Sequence, residues 1–487
     1  MKLYDFLYHP KTPDGIESRK AYIVGGGIAG LAAAAFLVDD AKMPGKNITI
    51  YEKRKDVGGC CGVISNEGEY VCPGERELEA YMECLWYLCS KIPSLDDPSR
   101  TVLDETVDVN RELPIHSECR AIQNQGHIWE GIHDYRMDEK TTEKLQKFIT
   151  EPESDLENIT IEDYLGKDSP FFDSAMWWCF HPMLAFQSYH SLIEMQRYAT
   201  RFMHQLHLIR SLRGILRTKY DQYHSLIMPL QKYLVDAGVN FVADTTVTDM
   251  DFRFDGNKKT VTALEVKKNG NIEKITLSDN DFVYFTNGSM TQNSTRGSMT
   301  EAPKMNTDTE NRGCFTLWEK IAKKADGFGH PEKFVSSPEK SNFVSVTLTV
   351  KDYPQFFEYL EKKTGNPTGK GGATTFVSSP WFITYGAALQ PLEPNQPENV
   401  QVLWFYGLHS NEKGEYVKKP MNECTGEETL KEFLYWCGLE DKFEEIKAHC
   451  IAIPTVMPYI TSQFMPRTCS DRPEVIPAGS TNLAFIG

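Results

Sequence analysis

No two of the twelve cysteines form a C-x-x-C pair, so the spacing of a zinc or iron–sulfur site is missing and no metal is expected. Their scatter along the chain suits buried free thiols in a reducing compartment. The opening residues Met1-Lys2-Leu3-Tyr4-Asp5 lack the apolar run of a secretory signal. A cytoplasmic chain is therefore expected, with the sequons at Asn47 and Asn158 chance matches. Positive charge is in short supply: 52 Lys and Arg stand against 68 Asp and Glu, a net charge of −16. Partners with a phosphate backbone need clustered Lys and Arg, so nucleic acid is not expected. Long apolar runs are scarce too. Ala21 to Val38 reaches transmembrane length, but its four glycines and strand-like start make it a strand, turn and helix.

At 487 residues the chain exceeds one hydrophobic core, and two to four structural units are expected. Tyr22-Ile23-Val24 reads as a strand running into Gly25-Gly26-Gly27-Ile28-Ala29-Gly30, which holds a G-x-G-x-x-G frame at Gly25, Gly27 and Gly30. The first glycine permits the tight turn, the second lets the backbone approach a pyrophosphate, and the third lets the helix pack on the strand. The helix N-terminus over Ile28 and Ala29 offers unpaired N–H groups to the phosphates. A helix follows to Val38, then a strand at Ile48-Thr49-Ile50-Tyr51 that ends in Glu52, placed to accept hydrogen bonds from ribose hydroxyls.

Glu52-Lys53-Arg54-Lys55-Asp56-Val57-Gly58-Gly59 resembles the E-x-R-x-x-x-G-G pattern of the amine oxidase and phytoene desaturase flavoproteins. This points to FAD rather than NAD. The Gly58-Gly59 pair allows close backbone approach to the cofactor. Phe282 to Thr286, ending in Asn287-Gly288, is similar to that group's second nucleotide-side strand, and Ala484-Phe485-Ile486-Gly487 to the segment approaching the flavin. The chain stops at that hand-over from strand to turn, the ending expected of a fragment.

Landmarks elsewhere carry a second resemblance: Arg76-Glu77-Leu78-Glu79, Cys84-Leu85-Trp86, Ile92-Pro93-Ser94-Leu95, Ala185-Phe186-Gln187, His190-Ser191, Arg197-Tyr198, Gln222-Tyr223, Thr286-Asn287-Gly288-Ser289-Met290 and Phe464-Met465-Pro466-Arg467. In this order they resemble the oleate hydratases, also called myosin-cross-reactive antigens, from about residue 20 to the end. The resemblance implies addition of water across a cis double bond of an unsaturated fatty acid, with FAD held but not turned over. It implies Glu77 as the water-activating carboxylate, Tyr198 as the proton donor and Gln222 as a substrate-binding residue. The cofactor set becomes Gly25, Gly27, Ile28, Ala29, Gly30, Glu52, Lys53, Gly58, Gly59, Arg76, Asn287, Gly288 and Ser289.

Blander readings stand beside these. Glu77 lies near the start of an expected helix, where the dipole alone favours a carboxylate. Tyr198 suits a half-buried packing position, and Gln222 a solvated one. His181, His190, His204 and His207 are expected to be ordinary buried histidines. Two departures from the family pattern bear on chemistry. Glu75 replaces a glycine beside Arg76-Glu77, and Leu78 replaces a methionine. Gly386, Ala388 and Leu392 stand where the resemblance expects a Thr, Asn and His that bind the substrate carboxylate, and none of their side chains can do so. The alternatives are a redox flavoenzyme of the amine oxidase or desaturase type, or an FAD- and lipid-binding protein without turnover.

The expected fold is α/β. A discontinuous Rossmann-like FAD-binding domain (20–137, 225–299 and a return at 456–487) carries a helical substrate-channel segment (138–224) and an α+β substrate domain (300–455). Peripheral membrane contact and a homodimer are both compatible with this reading. Within it, a helix is expected from about Pro73 to Ser90, and residues 91–125 read as mixed and loop-rich.

Overall fold

The computed structural model describes residues 8–61, 64–66, 69–72 and 76–487. A five-stranded sheet is built from distant pieces of the chain, in the order Leu483–Phe485, Phe282–Phe285, Ala21–Val24, Ile48–Tyr51 and Asn240–Val242. Every pairing is parallel, with Ala21 between Phe282 and Ile48 and Val283 beside Leu483. Side chains alternate across the sheet as a period of two requires. Ala21, Ile23, Ile48 and Ile50 enter one apolar core with the helix Ile28–Asp39. Tyr22, Val24, Tyr51, Val283, Phe285, Leu483 and Phe485 enter the core on the other face.

The second large element is an eight-stranded sheet in the order Thr295–Arg296, Cys450–Met457, Phe343–Lys351, Val400–Gly407, Ile383–Ala387, Thr374–Phe376, Ala121–Gln123 and His127–Ile128. It is antiparallel except where Thr374–Phe376 meets Ala121–Gln123. Val344, Val346, Leu348 and Val350 face the largest core with Phe356, Phe357, Leu360 and Phe433. The intervening Ser345, Thr347 and Thr349 are buried on the opposite face. There Thr349 Oγ1 accepts from Tyr70 N at 3.2 Å and Thr347 Oγ1 from Cys72 N at 2.8 Å. The chain approaching Arg76 and Glu77 is thus stitched to this sheet.

A helical layer comprises Glu139–Phe148, Ile161–Leu165, Ala175–Leu184 and Leu192–Phe202. Its aromatics form their own core, including Phe171, Trp177, Phe180, Phe186 and Phe464. A third, antiparallel sheet joins Thr245–Asp255, Lys258–Lys268 and Asn271–Thr276. No helix among the described residues is long and apolar enough to cross a membrane.

Two local expectations change. Residues 76–90 do not form one helix. Leu78–Glu79 is instead a short strand against Ile215–Leu216, and the helix begins at Glu83. Leu78 is buried in the core and Glu79 binds groups from a later helix, so tertiary partners override the helical spacing. Residues 91–125, read as loop-rich, contain the helix Val102–Glu112, which opens on a reciprocal Thr101–Asp104 capping box. Its exposed face leaves few apolar positions, so the cap is its main signal.

A methyl group at Gly30 would stand 2.1 Å from the Gly25 carbonyl oxygen and 3.1 Å from Ile23 Cγ2. The Gly30→Ala variant is expected to lose about 1–3 kcal/mol of stability, read as a lower urea midpoint with unchanged slope. An unshifted midpoint would contradict this helix–strand contact.

Candidate active site

At the carboxyl ends of the parallel strands lies a cavity of about 700 Å³, lined by Gly25, Gly27, Ile28, Ala29, Glu52, Lys53, Gly59, Asn287, Gly288 and Ser289. This is where a ligand belongs in a parallel sheet of this kind. Gly25 has φ +104°, and a Cβ there would collide with Thr286 Oγ1 at 2.0 Å. Glycine at this turn therefore leaves room for the Thr286 side chain at the end of the strand Phe282–Phe285. Gly27 bridges to Gly58, and Gly58 N donates to Gly26 O at 2.8 Å.

Glu52 Oε2 accepts from Gly26 N at 2.8 Å and Oε1 from Arg54 N at 2.9 Å. Each oxygen can accept a second hydrogen bond. Asn287 is buried, and its Oδ1 has no hydrogen-bond partner among the described residues. A buried orphan acceptor in the lining marks a place for a ligand donor. The glycine cradle, the helix N-terminus at Ile28, the Glu52 carboxylate and this acceptor together fit a dinucleotide.

Glu77 follows Arg76 in extended chain. Its side chain is open to a water-sized probe, yet protein surrounds it closely enough that burial pushes its carboxyl up to about 7, opposed by the Arg120 guanidinium. Burial, and then the Glu77 charge, raise the pKa of Tyr406, whose hydroxyl donates to Pro182 O at 2.5 Å. Two residues on, Glu79 has the opposite fate. Although burial acts to raise its pKa, hydrogen bonds from Tyr81 N, His204 and Arg201, with the Arg201 charge, hold it below the usual range. Opposed environments separate the two acids: Glu79 is a fixed anion, and Glu77 is poised to exchange a proton. Glu75 lies outside the described residues.

Tyr198 sits on the helix Leu192–Phe202 with its ring against Phe186 and Phe464, both centroids at 5.3 Å. Burial raises its pKa, while Arg472, Arg76 and a hydrogen bond from Gln463 at 3.5 Å pull it down. Gln463 and Arg472 also line the dinucleotide cavity, so the phenol lies beside that cavity's rim. Arg76 connects the two candidate groups, as the neighbour of Glu77 in sequence and of Tyr198 in charge. The helix itself is anchored by Glu194, which is buried and pairs with the buried Arg467 and with Arg197 at 3.2 Å.

The MCRA family model matches residues 18–487. The chain belongs to the MCRA family. An oleate hydratase of Streptococcus pyogenes serotype M49 (strain NZ131) is 38% identical over 494 residues, 99% of this chain and 83% of that protein. A linoleate hydratase of Lactiplantibacillus plantarum is 31% identical over 509 residues, 96% of this chain and 88% of that one. Among solved structures, a putrescine oxidase is similar at a TM-score of 0.48 and 13% identity, over 88% of this chain and 83% of that chain.

Within this MCRA chain, the expected carboxylate-binding positions are apolar in structure as well as in sequence. Ala388 and Leu392 pack with Tyr70, Cys72, Val400 and Val402. Gly386 faces open space, since a Cβ there would touch nothing within 4 Å. Its directly paired neighbour Trp404 carries a buried indole N–H without a partner among the described residues, as does Nη2 of the buried Arg120. Gln222 is buried, and its amide is turned to the backbone of Arg76.

His190 is buried and neutral, held down to about 3 by burial, with Nδ1 accepting from Gln187 N at 2.9 Å. His181 is likewise pushed far down by burial, and His204 pairs with Glu79 at 3.0 Å. Sequence reasoning missed Arg120, Tyr406, Gln463 and Arg472. Each lies on a segment with no local motif, and only folding brings it to the site.

It also read every cysteine as a buried thiol. Cys84 is exposed and Cys60 is only partly buried. Cys60 lines the dinucleotide cavity, and a hydrogen bond from Cys61 pulls its thiol down to about 6 against the effect of burial, with Arg76 and Arg54 assisting. A thiolate is the reactive form. Iodoacetamide at pH 7 is expected to label Cys60 roughly tenfold faster than Cys84 in FAD-free protein, and added FAD should suppress that labelling. Equal rates with and without FAD, followed by peptide mass spectrometry, would place Cys60 outside the cofactor cavity.

Proposed function

We propose that this chain adds water across a cis double bond of an unsaturated fatty acid, giving a hydroxy fatty acid, with FAD bound and not turned over. The observation that carries the proposal is Glu77, the one member of the Glu77–Glu79 pair whose surroundings raise it to about 7. Family membership and the hydratase names of two relatives support the same reading.

An isolated alkene is unactivated, so one carbon must receive a proton while water attacks the other. The Tyr198 phenol, kept protonated at neutral pH by its raised pKa, donates to one carbon as the π pair forms the new C–H bond. Water bonds the other carbon through oxygen and surrenders a proton to the Glu77 carboxylate. Exchange with solvent returns a proton to Tyr198 and removes one from Glu77, so the net change is one water added. The anionic form of Glu77 also stabilises the positive charge that develops on carbon, an effect strengthened where water is excluded.

FAD would lie along Gly25, Gly27, Ile28, Ala29 and Gly30, with Glu52 and Lys53 at the ribose side. Gly58, Gly59, Arg76, Asn287, Gly288 and Ser289 would complete its cradle. When bound it would supply a wall and a field for the reacting alkene rather than electrons.

Protein incubated with FAD and oleate or linoleate in heavy-oxygen water should yield a product carrying one labelled oxygen, seen by mass spectrometry. Glu77→Gln should lower that rate by about 10²–10⁴-fold while FAD stays bound. Oxygen consumption with peroxide release, and no labelled product, would replace hydration with a redox activity.

The pH dependence follows from Glu77. It acts when ionised, and its pKa lies above the usual 4.5 at about 7. The rate kcat/KM should therefore fall about tenfold per unit below pH 7 and level off above it. A limb centred near 4.5 would remove Glu77 from the role of base.

A further inference from the structure

Gln222 is buried and stands immediately before a π-helical turn, Tyr223–Ile227. Such turns are rare and recur at functional sites. The Gln222 carboxamide makes a reciprocal pair with one residue of another segment. Arg76 N donates to Oε1 at 3.3 Å, and Nε2 donates to Arg76 O. Two hydrogen bonds to the same backbone residue fix both its position and its rotation, as a neighbouring strand would.

The residue after Arg76 is Glu77. The next two, Leu78 and Glu79, pair with Leu216 and Ile215. Glu77 is therefore gripped on both sides by the stretch 215–222, through a side-chain clamp before it and a strand after it. The clamp stands on a rigid base. Asp221 is buried, its N–H donates to Leu392 O at 2.8 Å, and its carboxylate receives His224 N at 2.8 Å and meets His224 Nδ1 at 2.6 Å.

From this geometry we infer that Gln222 is a positioning residue for Glu77, holding the Arg76–Glu77 backbone so that the carboxylate meets water and alkene at the required distance. The role rests on the hydratase reading of Glu77. It differs from binding the substrate carboxylate, and the two roles separate in kinetics. A group that holds the base acts on the chemical step, whereas a carboxylate ligand acts mainly on substrate affinity. A base displaced by about 1 Å can cost roughly 10²-fold.

The test compares Gln222→Leu, which removes both hydrogen bonds, with Gln222→Glu, which removes the donor and keeps an acceptor. Substrates are oleic acid and its methyl ester. The expected result for Gln222→Leu is kcat lower by about 10²-fold, with KM and FAD affinity within about threefold of the parent and an unchanged preference for acid over ester. Gln222→Glu should fall between the two proteins. Hydrogen–deuterium exchange should show faster exchange of a peptide covering Arg76 to Glu79 in Gln222→Leu, with exchange elsewhere unchanged.

A rise in KM with kcat retained, together with loss of the acid-over-ester preference, would make Gln222 a carboxylate ligand and overturn the proposal. Unchanged exchange at Arg76 to Glu79 would overturn it as well, whatever the kinetics. If the parent protein forms no hydroxy fatty acid, the hydratase reading fails by itself. Loss of exchange protection in Gln222→Leu would then still support the clamp, and its absence would refute it.

Discussion

Crowding a carboxylate with protein costs free energy that neighbouring groups must offset. In this chain the constraint falls on Glu77, where burial raises the pKa and only the Arg120 charge opposes it. The preceding segment is tied to Thr347 and Thr349 on the large sheet, and the following residues are tied to Ile215–Leu216. The neighbouring Glu79 shows what full pairing does: three hydrogen bonds and a nearby guanidinium hold it as an anion.

The two halves of the site meet through segments remote in sequence. The parallel sheet supplies the dinucleotide cavity, the helix Leu192–Phe202 supplies Tyr198, and the loop after the strand Cys450–Met457 supplies Gln463 and Arg472. Arg472 meets the cavity and also lowers the Tyr198 pKa. Charge at the cavity's edge is therefore felt at the phenol. The buried Glu194–Arg467 pair fastens the tyrosine helix to the same loop. Removing Glu194 would take the buried Arg467 from its ion-pair partner, an unfavourable change, which favours one arrangement of helix and loop.

Much of the parallel sheet was legible before folding. Tyr22-Ile23-Val24, Ile48–Tyr51, Phe282–Phe285 and the terminal Leu483–Phe485 appear as strands, and the glycine turn as the link into the helix Ile28–Asp39, where their patterns put them. These segments are short, apolar and punctuated by glycine or polar residues, so local chemistry leaves little choice. The segment around Leu78 misled because helical spacing there coincides with apolar contacts made for another reason. The helix Val102–Glu112 was hidden because its outer face is polar and its capping box is a two-residue signal.

By itself the sequence determined the glycine turn, the acid at the end of the second strand and the order of segments that resemble one enzyme family. Those features depend on backbone freedom, hydrogen-bond capacity and side-chain type, which are properties of residues near one another in the chain. Only the tertiary structure decided that Glu77 and Glu79 ionise so differently, that Gln222 turns to Arg76, and that Cys60 lines a cavity. Each of these depends on desolvation and on charges brought in from distant segments, and an electrostatic environment exists only once the chain has folded around it.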